Sequence, residues 1–110
     1  RHKASRRQRQ MCIRDSINSL PEAEKIDGYT VLQHMEKGEF DKILFKRWEK
    51  KVYEVYFQKN NRVFYITVDK ENIYLLHSCR KQKNKTEKKD ANIVRKRAKE
   101  LGNMLGRKFI

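Results

Sequence analysis

The sequence "RVFYITVDKENIYLLHSC", residues 62–79, contains two apolar runs separated by a short polar turn. The first run, residues 62–68, is almost continuously apolar, as expected of a central strand. The second run, residues 73–79, has the same character, and the residues between the runs are turn formers. Together they predict two antiparallel strands joined by a tight connection.

A third strand is predicted directly before this pair. The sequence "VYEVYFQ", residues 52–58, alternates and would place Tyr53, Val55 and Phe57 on one face of a sheet. Only "KNN" separates it from the next run, so the three strands are expected to form a meander. The preceding stretch "FDKILFKRWEKK", residues 40–51, mixes apolar and basic residues, and we interpret it as an irregular or short helical connection.

Helices are expected on both sides of the meander. Apolar residues recur at helical spacing and predict a helix over residues 20–37, with a capping box between Ser19 and Glu22. Gly28 in its middle should weaken it by about 1 kcal/mol relative to Ala.

A second helix should follow the lysine-rich stretch after the third strand, with Thr86 or Asp90 as its N-cap. The residues that form its apolar stripe are Ala91, Val94, Ala98, Leu101 and Leu105. The fold class is therefore α+β: a small antiparallel three-stranded meander with an N-terminal and a C-terminal helix.

The N-terminal stretch "RRQRQMCIRDS", residues 6–16, carries four arginines. It resembles one translated reading frame of an adapter used in preparing sequencing libraries. An Arg-rich arm that binds phosphate is the alternative interpretation. We expect residues 1–16 to be a non-native, disordered leader and residues 17–110 to form the domain.

The chain is strongly basic, with a formal charge of +14. Residues 17–110 alone carry 22 Lys or Arg against 13 Asp or Glu, which leaves +9. A charge of this size favours nucleic acid or an anionic membrane as the partner. No apolar run is long enough to span a membrane, and Cys79 is the only cysteine after residue 16, so a cytoplasmic protein without a disulfide framework is expected.

The sequence lacks the common enzymatic signatures. It has no phosphate-binding Gly-rich loop, no nucleophile elbow, and no pair of cysteines or histidines at zinc-ligand spacing. We therefore expect neither a metal nor another cofactor.

Cations are concentrated at the predicted strand ends. Arg62 opens the central strand, His77 lies near the end of the next one, and Arg80 and Lys81 follow. These residue types suit metal-free RNA cleavage, in which a 2′-OH attacks the adjacent phosphate: arginine binds the phosphate, and histidine, lysine or tyrosine transfers protons. The alternatives are a solvated charged loop and a hydrogen-bonded structural histidine. Further RNA-binding candidates are Lys46, Arg47, Lys50, Lys51, Lys83 and Lys85.

Three motifs resemble the RelE/HigB superfamily of toxins from type II toxin–antitoxin systems, and most closely its phage-derived HigB-like branch. "VYEVYF" resembles the family's L-Y-E-L-R strand. "NRVFYITVDKENIYLLHSCRK" resembles Y-R-I-x-Y-F followed by I-x-L-L-H-G-F-x-K. "KNKTEKKDANIVRKRAKEL" resembles the segment that opens the family's last helix.

The resemblance implies a ribosome-dependent mRNA endoribonuclease with a cognate helix-turn-helix antitoxin. It assigns Arg62 to the central-strand arginine, His77 to the L-L-H histidine and Arg97 to the arginine of the last helix. Tyr56 and Gln82 depart from the family pattern. The family's first strand has no counterpart here, so the domain is expected to lack it.

Two other functions remain open at this level. One is a ParE-like toxin that inhibits a topoisomerase without cleaving RNA, because that branch shares the fold. The other is a catalytically inactive relative that binds RNA or the ribosome. Codon preference, the identity of the antitoxin and the oligomeric state do not follow from the sequence.

Overall fold

The computed structural model describes residues 13–58, 60–69, 72–80 and 86–110. It confirms the α+β class, with a four-stranded antiparallel sheet between helices. The elements in chain order are α1 (residues 13–18), α2 (Glu22–Glu36), a 3-10 turn (Phe40–Lys42), β1 (Leu44–Glu49), β2 (Val52–Phe57), β3 (Asn61–Thr67), β4 (Ile73–Arg80) and α3 (Lys88–Leu105).

The sheet has the order β1-β2-β3-β4, so the predicted meander is confirmed and gains a fourth strand. Residues 44–49 pair with β2, and the prediction of an irregular connection there is wrong. β1 is an edge strand whose Leu44 is 63% exposed and whose Phe45 is 42% exposed. Because an edge strand buries so little, its sequence lacks the apolar alternation that marks β2.

Helices cover the sheet on both faces. α1 and α2 pack on one face, here called the α2 face, over a core that includes Ile17, Leu32 and Val63. α3 packs on the other, the α3 face, over a second core that includes Phe64 and Val94. A sheet buried on both sides explains why β3 and β4 read as nearly continuous apolar runs.

The predicted helix caps differ from those observed. α2 begins after Pro21 with no side-chain cap, and the Ser19 hydroxyl donates to the Ser16 carbonyl at 2.7 Å. The capping box predicted between Ser19 and Glu22 is therefore wrong. α3 begins after Glu87, also without a side-chain cap, because Asp90 bonds to the sheet instead.

The apolar stripe of α3 ends earlier than predicted. Ala91, Val94, Ala98 and Leu101 are buried as expected, whereas Leu105 is 37% exposed. The helix stops at Gly106, which adopts a left-handed conformation (φ 66°) that glycine tolerates well. Leu105 therefore lies at the end of the helix rather than over the core.

Gly28 allows α2 to approach the sheet closely. A Cβ at this position would lie 2.9 Å from Ile17 Cγ2 and 3.2 Å from Phe57 Cζ. The glycine lowers helix propensity, but its missing side chain is what lets three elements meet at this point.

β4 contains a bulge at Leu76. Phe64 pairs with His77, while the next residue of β3, Tyr65, pairs with Leu75, so Leu76 is the extra residue. The Arg97 guanidinium of α3 donates to the Leu76 carbonyl at 2.6 Å. The bulge is therefore bonded directly to the last helix.

A salt bridge ties α3 to the edge of the sheet. Arg95 donates to both carboxylate oxygens of Glu49, at 2.9 and 2.7 Å, and lies over the Trp48 ring. The guanidinium lowers the pKa of the Glu49 carboxyl below its usual value.

Within the described residues, no helix combines the length and apolar character needed to cross a membrane.

The end of the suspected leader is part of the fold. Residues 13–18 are helical, and Ile13 is only 3% exposed within the core of the α2 face. The expectation of a disordered leader is therefore wrong for residues 13–16. Residues 1–12 lie outside the described residues, and the adapter origin stays a prediction.

We predict that Ile13→Ala lowers the free energy of unfolding by about 2–5 kcal/mol, because it opens a cavity in a packed core. Ile26→Ala is the matched control: Ile26 is 55% exposed and its truncation should change stability by less than about 0.5 kcal/mol. Urea unfolding followed by circular dichroism measures both. Equal small effects would show that α1 does not pack as described.

Candidate active site

Arg62 lies on the α3 face at the start of β3. Its guanidinium stacks over the Tyr56 ring at 4.9 Å and donates to the Asn61 carbonyl at 3.1 Å. Its side chain is 13% exposed. The site therefore presents a partly buried guanidinium supported by an aromatic ring.

Glu54 lies beneath Arg62 and is 1% exposed. The Arg62 Nε and Glu54 Oε1 atoms are 3.3 Å apart, which makes an ion pair. The sequence argument expected the anionic partner of Arg62 to be a phosphate, and the structure provides a buried carboxylate. Removing either charge would leave the other in a low-dielectric site, so the pair holds the guanidinium in place.

His77 lies on the same face, one row along the sheet from Arg62. Arg62 pairs with Cys79, and Phe64 pairs with His77, so Arg62 and His77 are diagonal neighbours. Such positions are about 7–8 Å apart in a sheet. The register thus places an arginine and a histidine next to each other on one face.

Asp90 orients the imidazole. Its Oδ1 lies 2.9 Å from His77 Nε2, and both side chains are largely buried, at 15% and 11% exposure. A carboxylate on one ring nitrogen fixes the ring and leaves the other nitrogen for proton transfer. Cys79, which packs against the core of the α3 face, completes this group.

Arg80 lies on the opposite face of the sheet. It forms a salt bridge with Glu24 of α2, a buried residue whose Oε1 also accepts a hydrogen bond from Asn61 at 2.9 Å. Arg80 therefore does not share a face with Arg62 and His77, although Arg62 and Arg80 both line one pocket at this end of the sheet. Its assignment to catalysis stays a prediction, and its observed contact joins α2 to the end of the sheet.

The cations of the β1–β2 hairpin are divided between two places. Lys46 pairs with Glu54 in the strand register and so belongs to the α3 face, near Arg62. Arg47, Lys50 and Lys51 instead line a groove of about 520 Å³ at the other end of the sheet, on the α2 face. The predicted RNA-binding set is thus not one continuous patch in the described structure. Lys81, Lys83 and Lys85 lie outside the described residues.

The groove on the α2 face is aromatic as well as basic. Phe40 stacks on Tyr65 with ring centroids 5.7 Å apart, and Phe45 and Tyr53 continue the series. Burial, and to a smaller extent Tyr53, raises the pKa of the Tyr65 hydroxyl above its usual range. Tyr65 therefore remains a neutral phenol and is unsuited to act as a general base.

Sequence reasoning missed the residues that orient the site. In the sequence, Asp90 is interpreted only as a possible helix cap, and Cys79 only as a lone cysteine. A usable signal existed for Glu54, because an acid inside an apolar strand needs a cation on a neighbouring strand. No sequence signal marks the Asp90 contact, since the bulge that turns His77 toward it is a tertiary feature.

A comparison with protein families identifies the family of the chain. The sequence profile of the family described as phage-derived protein Gp49-like (DUF891) matches residues 15–99, most of the chain. The chain belongs to this family. Neither a curated protein nor a solved structure gave a significant match. Membership in the Gp49-like family is consistent with a toxin of a toxin–antitoxin system that has an antitoxin partner.

We predict that Arg80→Ala in this Gp49-like chain lowers the free energy of unfolding by about 1–3 kcal/mol, because the buried Glu24 carboxylate loses its cationic neighbour. The double variant Glu24→Gln/Arg80→Ala should lose less free energy of unfolding than the two single variants lose in sum. The difference, which is the coupling energy of the pair, should be about 0.5–3 kcal/mol. Urea unfolding of the four proteins measures this coupling. Strict additivity would contradict the salt bridge.

Proposed function

We propose that the chain is the toxin of a type II toxin–antitoxin system and cleaves mRNA on the ribosome. The observation that carries this proposal is the joint position of Arg62 and His77 on one sheet face, with His77 bonded to Asp90 at 2.9 Å. Family membership supports the toxin class, and the site supports the chemistry.

The proposed reaction is attack by a 2′-OH on its own 3′-phosphate. A bond forms between the 2′ oxygen and phosphorus, and the bond to the leaving 5′ oxygen breaks. The products are a 2′,3′-cyclic phosphate and a 5′-hydroxyl. One group must accept the 2′-OH proton, and another must protonate the leaving oxygen.

The residues take separate roles in this reaction. Arg62 contacts the phosphate and stabilises the added negative charge of the transition state. His77 transfers one of the two protons, oriented by Asp90. Lys81 remains the sequence-based candidate for the other transfer. Lys46, on the same face, is placed to attract the RNA backbone.

The proposed partners follow from the same chemistry. The substrate is mRNA on the translating ribosome, and a cognate helix-turn-helix antitoxin neutralises the toxin. Residues 17–110, which carry +9, need an acidic counter-surface in that complex. In this proposal, both mRNA cleavage and neutralisation by the antitoxin take place in the cytoplasm.

We predict that Arg62→Ala and His77→Ala each slow mRNA cleavage by about 10²–10³-fold, because each removes stabilisation specific to the transition state. Lys99→Ala, on an exposed position of α3, should change the rate little. Primer extension on a defined message in a reconstituted translation system, with and without ribosomes, measures the rates. The products should carry 2′,3′-cyclic phosphate ends, and cleavage should survive a metal chelator.

Two outcomes would overturn this function. Intact mRNA together with inhibition of topoisomerase supercoiling would make the chain a ParE-like toxin. Intact mRNA together with tight ribosome binding would make it a non-catalytic relative. Circular dichroism of each variant separates lost chemistry from lost folding.

We further propose that the aromatic groove of the α2 face binds single-stranded RNA beyond the cleavage site. Bases stack on Phe45, and Lys50 and Lys51 contact phosphates. The double variant Lys50→Ala/Lys51→Ala should weaken binding of a single-stranded oligonucleotide and reduce the salt slope by about 0.7 per lysine. Lys96→Ala/Lys99→Ala, with equal charge loss on exposed α3 positions, is the control. Equal effects of the two pairs would mean non-specific attraction only.

A further inference from the structure

His77, Cys79 and Asp90 form a group of three different metal-ligand types on the α3 face. Their ligand atoms all lie within 4.8 Å of one another. His77 and Cys79 are two residues apart on β4 and so point to the same face. Asp90 reaches them from the first turn of α3, with its carboxylate 2.9 Å from His77 Nε2.

We propose that these three side chains bind a divalent transition-metal ion of the zinc class. An imidazole nitrogen, a thiolate and a carboxylate are all established zinc ligands, and the sulfur favours zinc over magnesium or calcium. With the usual bond lengths, a tetrahedral ion holds such ligand atoms about 3.4–3.6 Å apart. The His77–Asp90 contact therefore has to lengthen by only about 0.5 Å to admit the ion.

The local charges allow this binding. The thiolate and the carboxylate together balance the two positive charges of the ion. Arg62, which pairs with Cys79 across the strands, is already compensated by the buried Glu54 carboxylate at 3.3 Å. The charge of the ion is thus balanced by its own ligands, even though the whole chain is basic.

Sequence spacing did not reveal this site. Zinc sites are usually recognised from pairs of cysteines or histidines within one motif. Here one pair comes from a bulged strand, and the third ligand comes from a helix that begins after it. The fourth position would be open to water.

A bound ion would also affect the proposed cleavage reaction. It would separate Asp90 Oδ1 from His77 Nε2 and hold Nε2 itself, so the imidazole could no longer take up a second proton and zinc should inhibit mRNA cleavage. This second consequence rests on the proposed function, whereas binding itself does not.

The test is titration of the full chain with Co²⁺, which reports its ligands by absorption. All proteins carry Cys12→Ser, so that Cys79 supplies the only thiol. We expect a thiolate-to-cobalt charge-transfer band in the near ultraviolet and visible d–d bands of tetrahedral intensity, both removed by added Zn²⁺. Cys79→Ser should abolish the charge-transfer band, and Asp90→Asn should weaken binding at least about tenfold.

His34→Gln provides the matched control. His34 Nδ1 lies 2.8 Å from Glu39 Oε1, so His34 forms a similar histidine–carboxylate pair. Among the described residues, however, His34 belongs to no group of three metal ligands. This variant should leave the cobalt spectrum unchanged. Asp90→Asn keeps a hydrogen-bonding group beside His77, and thermal unfolding confirms that each variant is folded.

The proposal is overturned if no charge-transfer band appears, or if the band persists in Cys79→Ser. Binding without inhibition of cleavage would leave the metal site standing and remove its link to His77 chemistry. Binding in a chain that does not cleave mRNA would leave the site standing and count only against the proposed function.

Discussion

The alternation of side chains along β3 and β4 is the constraint on which the site depends. Successive residues point to opposite faces, and both faces are buried. The bulge at Leu76 resets this alternation once, so that His77 and Cys79 share a face with Arg62, and Arg80 faces α2. Without the extra residue, His77 would face α2 and could not meet Asp90.

At one end of the sheet, each face carries a described arginine–glutamate pair. Arg62 meets Glu54 on the α3 face, and Arg80 meets Glu24 on the α2 face. Both glutamates are buried, so each arginine balances a buried charge, whatever its role toward a ligand. A substitution of either arginine therefore has to be tested for stability before a loss of activity is assigned to chemistry.

The sequence predicts the parts of the fold that have strong local periodicity. The apolar patterns predict the bounds of β2, β3, β4 and the two long helices to within a few residues of those observed, because burial dictates these patterns. β1 was missed because an edge strand carries no such pattern. The site was predicted as a set of residue types near strand ends, but its division between two faces depends on a bulge and on contacts between distant residues, which no local pattern records.

The contacts of α3 also decide when the site comes into existence. Asp90 supplies the partner of His77, and Arg97 holds the bulged Leu76 carbonyl. Both belong to the last described element to leave the ribosome during synthesis, and N-terminal parts of a chain emerge first. The orientation of His77 therefore requires the docked helix, and the proposed reactive geometry cannot form in a nascent chain from which α3 has not yet emerged.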